Sequence, residues 1–133
     1  ANMQFSAEVK LAGSIDPATG AEGLGALMLI YRGEDQSPLG YSIWVNGEQR
    51  SSPLFGIEPL PPVSNNVSRR WLGSGWQPIK IDLRQEIINS LPTVNPDMVR
   101  FITVMFLATG SDNCTLDGCP VDIQAVDLVL WSE

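Results

Sequence analysis

The sequence predicts an all-β fold, an antiparallel β-sandwich with one short helix. Three observations carry this. Short runs of alternating or continuously apolar residues recur along the chain between Gly, Pro, Asn and Asp, and such runs read as strands between turns. No strand–helix–strand alternation occurs, which argues against a parallel α/β sheet. Only one stretch has helical spacing. At 133 residues the length suits one domain, so residues 1–133 are read as a single unit.

The elements follow in order. In residues 5–11, Phe5, Ala7, Val9 and Leu11 alternate with Ser6, Glu8 and Lys10, the period of a half-buried strand. Residues 13–25 are rich in Gly, Pro and Asp and read as a loop. Residues 26–32 are a strand, apolar on both faces until Tyr31-Arg32. Residues 33–40 are polar and read as a hairpin loop. Residues 41–46 form the return strand, ended by Asn46-Gly47, a strong turn dipeptide. Residues 50–75 contain Pro53, Pro59, Pro61 and Pro62, which break regular structure. Their apolar members, among them Leu54, Phe55, Val67 and Trp71, predict a long loop folded back on the body, with room for a short strand.

Residues 78–83 alternate again, with Ile79, Ile81 and Leu83 inward and Lys80 and Asp82 outward. The helix follows at residues 83–91. Asp82 and Gln85 have capping-box spacing, Leu83, Ile87, Ile88 and Leu91 have helical spacing, and Pro92 ends the run. Residues 99–108 are the most apolar segment, apolar on both faces, as expected of a central strand covered on each side. Residues 121–131 form the last strand. This pattern suits an antiparallel sandwich or jelly roll.

Cys114 and Cys119 are the only cysteines and share one polar turn with Gly118 and Pro120. Free thiols prefer burial, so the pair reads as a disulfide, and with it an oxidising compartment, extracellular or cell envelope. The spacing fits neither a redox motif nor a zinc site. Asn66 and Asn113 stand in glycosylation sequons, a weak signal.

Composition excludes several functions. The net charge is −7, which argues against nucleic acid and anionic membrane surfaces. No apolar run approaches the ~20 residues of a spanning helix, so no membrane insertion is expected within this chain, and no stretch of it is expected to be a signal peptide. There is no His, which removes the usual general base and the Ser-His-Asp and Cys-His arrangements. The 15 acids leave a carboxylate-pair hydrolase formally open, but nothing selects a pair. From Phe101 onward there are five acids and no Lys or Arg, which read as a solvated acidic face or, more sharply, as oxygen ligands for a hard cation. No EF-hand spacing supports the latter. The expectation is no enzyme, no cofactor and no metal.

Several of these pieces, in this order, resemble the galactose-binding-domain-like jelly roll of bacterial carbohydrate-binding modules. They are Gly75-Trp76-Gln77, then residues 79–83 and the short helix, then Val99-Arg100-Phe101-Ile102, and finally Ala125-Val126-Asp127-Leu128-Val129-Leu130. The similarity spans residues 26–131 in short, degenerate motifs. It implies a non-catalytic module that binds carbohydrate or a similar polar ligand. It also puts Asp127 where related modules often carry an acid near a structural Ca²⁺, with Glu8 as a candidate partner.

Candidate binding residues follow from composition. Trp71 and Trp76 flank Gly73-Ser74-Gly75 beside Arg69-Arg70. Aromatic rings stack on sugars, and Arg supplies planar donors. Trp44 alternates with Ile43 and Val45 and so is expected to face away from the core, while Lys80 and Arg100 fall on non-core faces. The candidate ligand surface is therefore Trp71, Trp76 and Arg70 from the loop with Trp44, Lys80 and Arg100 from the sheet. Against it stands a structural or protein-interaction domain of a bacterial envelope protein without a small ligand. Exposed, coplanar tryptophans favour the first reading, and buried ones the second.

Overall fold

A computed structural model describes residues 3–46, 66–111, 113–114 and 119–132. The early alternation forms β1 (Met3–Ala12), which buries Phe5, Ala7, Val9 and Leu11. Two residues form β2 (Ser14–Ile15), and β3 (Glu22–Arg32) and β4 (Pro38–Asn46) make the expected hairpin. Within the expected irregular stretch lies β5 (Val67–Leu72), while the earlier part of that stretch, residues 50–65, lies outside the described residues. Then come β6 (Trp76–Asp82), α1 (Leu83–Ser90), a single 3₁₀ turn at Pro96–Met98, β7 (Phe101–Gly110) and β8 (Asp122–Ser132).

The strands form two sheets. One has three strands in the order β6-β1-β8, all antiparallel. The other has five, running β2-β3-β4-β5 with β7 on the remaining edge of β3. The two sheets share an inter-sheet core, to which Phe5, Val9, Leu11 and Ile79 contribute from one and Leu27, Leu29, Tyr31 and Trp44 from the other. The fold is thus all-β and sandwich-like, with one α-helix among the described residues. It is mostly rather than wholly antiparallel, because β4 and β5 run parallel.

The helix forms where its cap predicts. The Asp82 carboxylate accepts the Gln85 N–H at 3.1 Å, satisfying one of the orphan donors of the first turn. The Gln85 side chain does not return the bond and reaches Asn89 instead. Leu83 and Ile87, with Leu91 and Val94 after the helix, close one end of the core.

Three expectations need correction. The strand of residues 26–32 begins earlier, at Glu22, so Gly23 and Gly25 lie inside β3. Both make room for close neighbours. A Cβ at Gly23 would sit 2.9 Å from the Cys119 carbonyl oxygen, and one at Gly25 would sit 3.1 Å from Ile123 and Val121. Trp44 does not face away from the core but is 4% exposed within it. Alternation misled there because β4 is buried on both faces. Ile43 and Val45 join Leu24, Ala26, Met28 and Ile30 in a second apolar cluster on the other side of the sheet. The most apolar segment, β7, is not central either. It pairs with β3 alone among the described residues, and the central strand is β3.

Candidate functional site

The residues singled out in the sequence scatter over three surfaces and the core. Trp44 and Arg70 are brought together. They are cross-strand partners on β4 and β5, and the Arg70 guanidinium lies 5.2 Å from the Trp44 ring centroid. That pair faces inward. Arg70 ion-pairs with Glu86 of α1, which is 6% exposed, and donates to Ser90 Oγ at 3.3 Å. The other Glu86 oxygen accepts from Ser42 Oγ at 3.3 Å, and Ser42 shares a 2.8 Å hydrogen bond with the Tyr31 hydroxyl. Burial pushes the Tyr31 phenol above its ordinary value, so it stays a neutral hydrogen-bonding group. The network ties β3, β4, β5 and α1 together and engages Arg70 Nη2 in an ion pair within the chain.

Trp71 points the opposite way, half-buried beside Val45 and Val67 in the outer apolar cluster. Trp76 begins β6 on the outer face of the three-stranded sheet, 45% exposed and opposite Lys10. Lys80 shares that face, opposite Ser6. Trp71 and Trp76 therefore lie on different sheets and form no common platform.

Arg100 sits at one end of the sandwich, donating to the carbonyls of Asp97 and Val99. It borders a cleft of about 460 Å³ floored by Met3, Leu83, Ile87 and Ile102. Across the rim Arg84 and Asp97 form a 2.7 Å ion pair, which holds the Asp97 carboxyl below its ordinary value. Glu8 pairs in register with Val126, next to Asp127, whose φ of 54° marks a bulge in β8. Among the described residues, no three His, Cys, Asp or Glu converge as metal ligands.

Cys114 and Cys119 are disulfide-bonded. The bridge lies between β7 and β8 and packs on glycine, since a Cβ at Gly110 would approach Cys114 Sγ to 2.8 Å. It is consistent with an oxidising compartment. No helix among the described residues is long and apolar enough to cross a membrane.

The surface that sequence reasoning missed is the side formed by β7 and β8. Each is the outermost strand of its sheet there, since β7 pairs only with β3 and β8 only with β1 among the described residues. On β7, Phe101, Met105 and Phe106 are 36–46% exposed. On β8, Val126, Leu128, Val129, Leu130 and Trp131 are 38–49% exposed. Register sorts them by face. Phe106 lies opposite core residue Leu27, and Leu130 opposite core residue Phe5, so both are core-facing yet open to solvent. Met105, Val126, Val129 and Trp131 point outward. The available signal was the both-face apolarity of residues 99–108, which a central strand and an uncovered edge strand share.

Comparison with models of protein families, with curated proteins and with solved structures finds no match for the chain.

Proposed function

We propose that the chain is a non-catalytic protein-interaction module of a secreted or cell-envelope protein, and that its working surface is the β7/β8 side. One observation carries this reading: two strand edges, one in each sheet, have no partner strand among the described residues and expose eight large apolar side chains. Exposed apolar patches of this kind mark protein interfaces. Unpaired edges add rows of backbone donors and acceptors that another strand satisfies. The disulfide supports the compartment, and the absence of His supports a role without catalysis.

The test is a photo-crosslinking amino acid placed at Phe106 or at Val129 in cells that make the protein. Protein adducts at both positions, and none from Ile15, are expected. No adduct at either position overturns the reading.

A jelly roll of the galactose-binding type remains our proposal for the finer topology. The eight strands in two sheets among the described residues and the antiparallel pairing of β1 with β8 favour it. The parallel β4–β5 pair departs from it.

A second reading, carbohydrate binding, rests on Trp76, the exposed ring beside Lys10 on the outer three-stranded face. Titration with neutral oligosaccharides, followed by tryptophan fluorescence, checks it. Binding lost in Trp76→Ala supports it, and no binding to any glycan of an array removes it.

A further inference from the structure

We propose that the cleft at the Arg100 end of the sandwich binds an aliphatic carboxylate, with its hydrocarbon tail on the cleft floor and its head group on Arg100. This goes beyond the protein-interaction reading and does not depend on it.

The shape comes first. The cleft, about 460 Å³, falls within the roughly 300–1,000 Å³ of small-ligand sites. Ordered elements wall it on every side. Leu83 and Ile87 come from α1, Asp97 from the 3₁₀ turn, Met3 from β1 and Ile102 from β7. These walls are fastened to one another and to the sheet behind them. The Arg84–Asp97 ion pair joins α1 to the turn, and the Val99 N–H donates to the Pro96 carbonyl at 3.2 Å. The Arg100 N–H donates to the Arg32 carbonyl of β3 at 2.8 Å. A site set in advance loses little binding free energy to ordering.

The lining selects the tail. Leu83 and Ile87 are buried beneath the floor, and Met3, Val99 and Ile102 are half-buried around them. Among the described residues no aromatic ring lines the cleft, so sugars and planar heterocycles find no face to stack on. A flexible hydrocarbon chain follows such a surface, and every CH₂ it buries adds to affinity.

Charge selects the head group. The ionisable side chains of the lining are Arg84, Asp97 and Arg100. One carboxylate thus stands against two guanidiniums, in a chain whose net charge is −7. Arg84 is matched by Asp97 at 2.7 Å. Arg100 forms no ion pair among the described residues. Its Nη1 donates to the carbonyls of Asp97 and Val99, which holds the guanidinium at the rim. The Nε and Nη2 donors, on the other edge of the fork, have no acceptor among the described residues. Two parallel N–H donors on one edge match the two oxygens of a carboxylate. A peptide fits less well. Its backbone N–H groups need acceptors, and the two rim carbonyls already accept from Arg100.

Titration calorimetry of the purified, oxidised chain with sodium decanoate, below its micelle-forming concentration, tests this. One decanoate per chain is expected, with octanoate roughly 10-fold weaker for want of two CH₂ groups. Decyltrimethylammonium, the same tail with the opposite charge, should show no saturable binding. Arg100→Gln should weaken decanoate by at least about 10-fold and Arg100→Lys by less. Lys80→Gln, on the outer face of the other sheet, should change nothing. Methyl NMR of the parent locates the ligand without any variant, so the test stands if Arg100→Gln misfolds. Decanoate should shift the methyl signals of Met3, Leu83 and Ile102 and spare those of Val126 and Val129 on β8. No saturable binding of decanoate, equal binding of the decyl cation, full affinity in Arg100→Gln, or shifts confined to the β8 valines would each overturn the proposal. So would cleft shifts from a peptide with an apolar C-terminal residue and none from decanoate, which would make the occupant a protein.

Discussion

Arg70 is the residue whose role depends most on its surroundings. By composition it is a donor for ligand, but beneath Trp44 it is the counterion of a buried carboxylate. Removing one member of such a pair leaves the other charge buried and uncompensated. Arg70→Met is therefore expected to destabilise by about 2–3 kcal/mol, below the cost of breaking a fully buried pair because the Arg70 side chain is 37% exposed and Glu86 keeps two hydroxyl donors. Urea unfolding checks it, and a loss under ~0.5 kcal/mol, the range of an ordinary surface change, would be inconsistent with a structural pair. The tryptophans divide in the same way. Trp44→Ala opens a cavity in the inter-sheet core and should cost about 3–5 kcal/mol, whereas Trp76→Ala, at a site 45% exposed, should stay within ~0.5 kcal/mol. Equal losses would contradict the assigned burial. Asp127 adopts the left-handed backbone region with φ 54°, where a β-branched side chain is strained by roughly 1–2 kcal/mol. Asp127→Val should lower the melting temperature and Asp127→Gly should not, whereas equal effects would exclude backbone strain as the cause.

At the scale of elements, α1 is fastened at its N-terminal end by side chains of neighbouring segments. Asp82 caps its N-terminus, and Asp82→Ala should cost about 1 kcal/mol. The Arg84–Asp97 ion pair ties α1 to the 3₁₀ turn. Asp97 titrates below its ordinary value of 3.8 when folded, first because it accepts a hydrogen bond from Arg84 and then because of that residue's charge. The sign follows. A depressed carboxylate stabilises the fold above its unfolded value and loses that contribution as pH falls through the folded one. Asp35, bound by Ser37, acts in the same direction. Melting temperature should thus decline on acidification below about pH 4, and less steeply in Asp97→Asn. An identical acid limb in the variant would show that the bridge contributes nothing. Among the strands at the sheet edges, β7 carries no charged residue, whereas β5 and β6 carry Arg69, Arg70, Lys80 and Asp82.

At the scale of the molecule, the disulfide fastens the connection between the two uncovered strands, one in each sheet. The closed loop is short, so the chain-entropy contribution is about 2 kcal/mol. Replacing both cysteines by serine is expected to lower the melting temperature by roughly 5–10 °C. The fold should survive, because the core of β1, β3, β4 and β6 does not include the bridge. Loss of all β-structure in the circular dichroism spectrum of the variant would mean that the bridge defines the fold rather than fastening it.

The sequence by itself determined what is local. Period-2 alternation in residues 5–11 and 78–83, the Asp82 cap with Pro92 as terminator, and two cysteines in one polar turn each carry their cause within a few residues, and each corresponds to an element or bond of the structure. Tertiary structure decided everything that depends on which face meets what. Trp44 lies inside because both faces of β4 are buried, so alternation could not say which face meets the other sheet. Val67–Leu72 is a strand because β4 offers it a parallel edge, a long-range pairing without a local signature. The apolarity of residues 99–108 is equally compatible with a central strand and with an edge awaiting a partner, since apolar composition records that a surface must be covered and not by what. Only the pairing of β7 with β3 alone among the described residues, and the exposed apolar side chains of β7 and β8, turned a presumed core strand into the proposed interface.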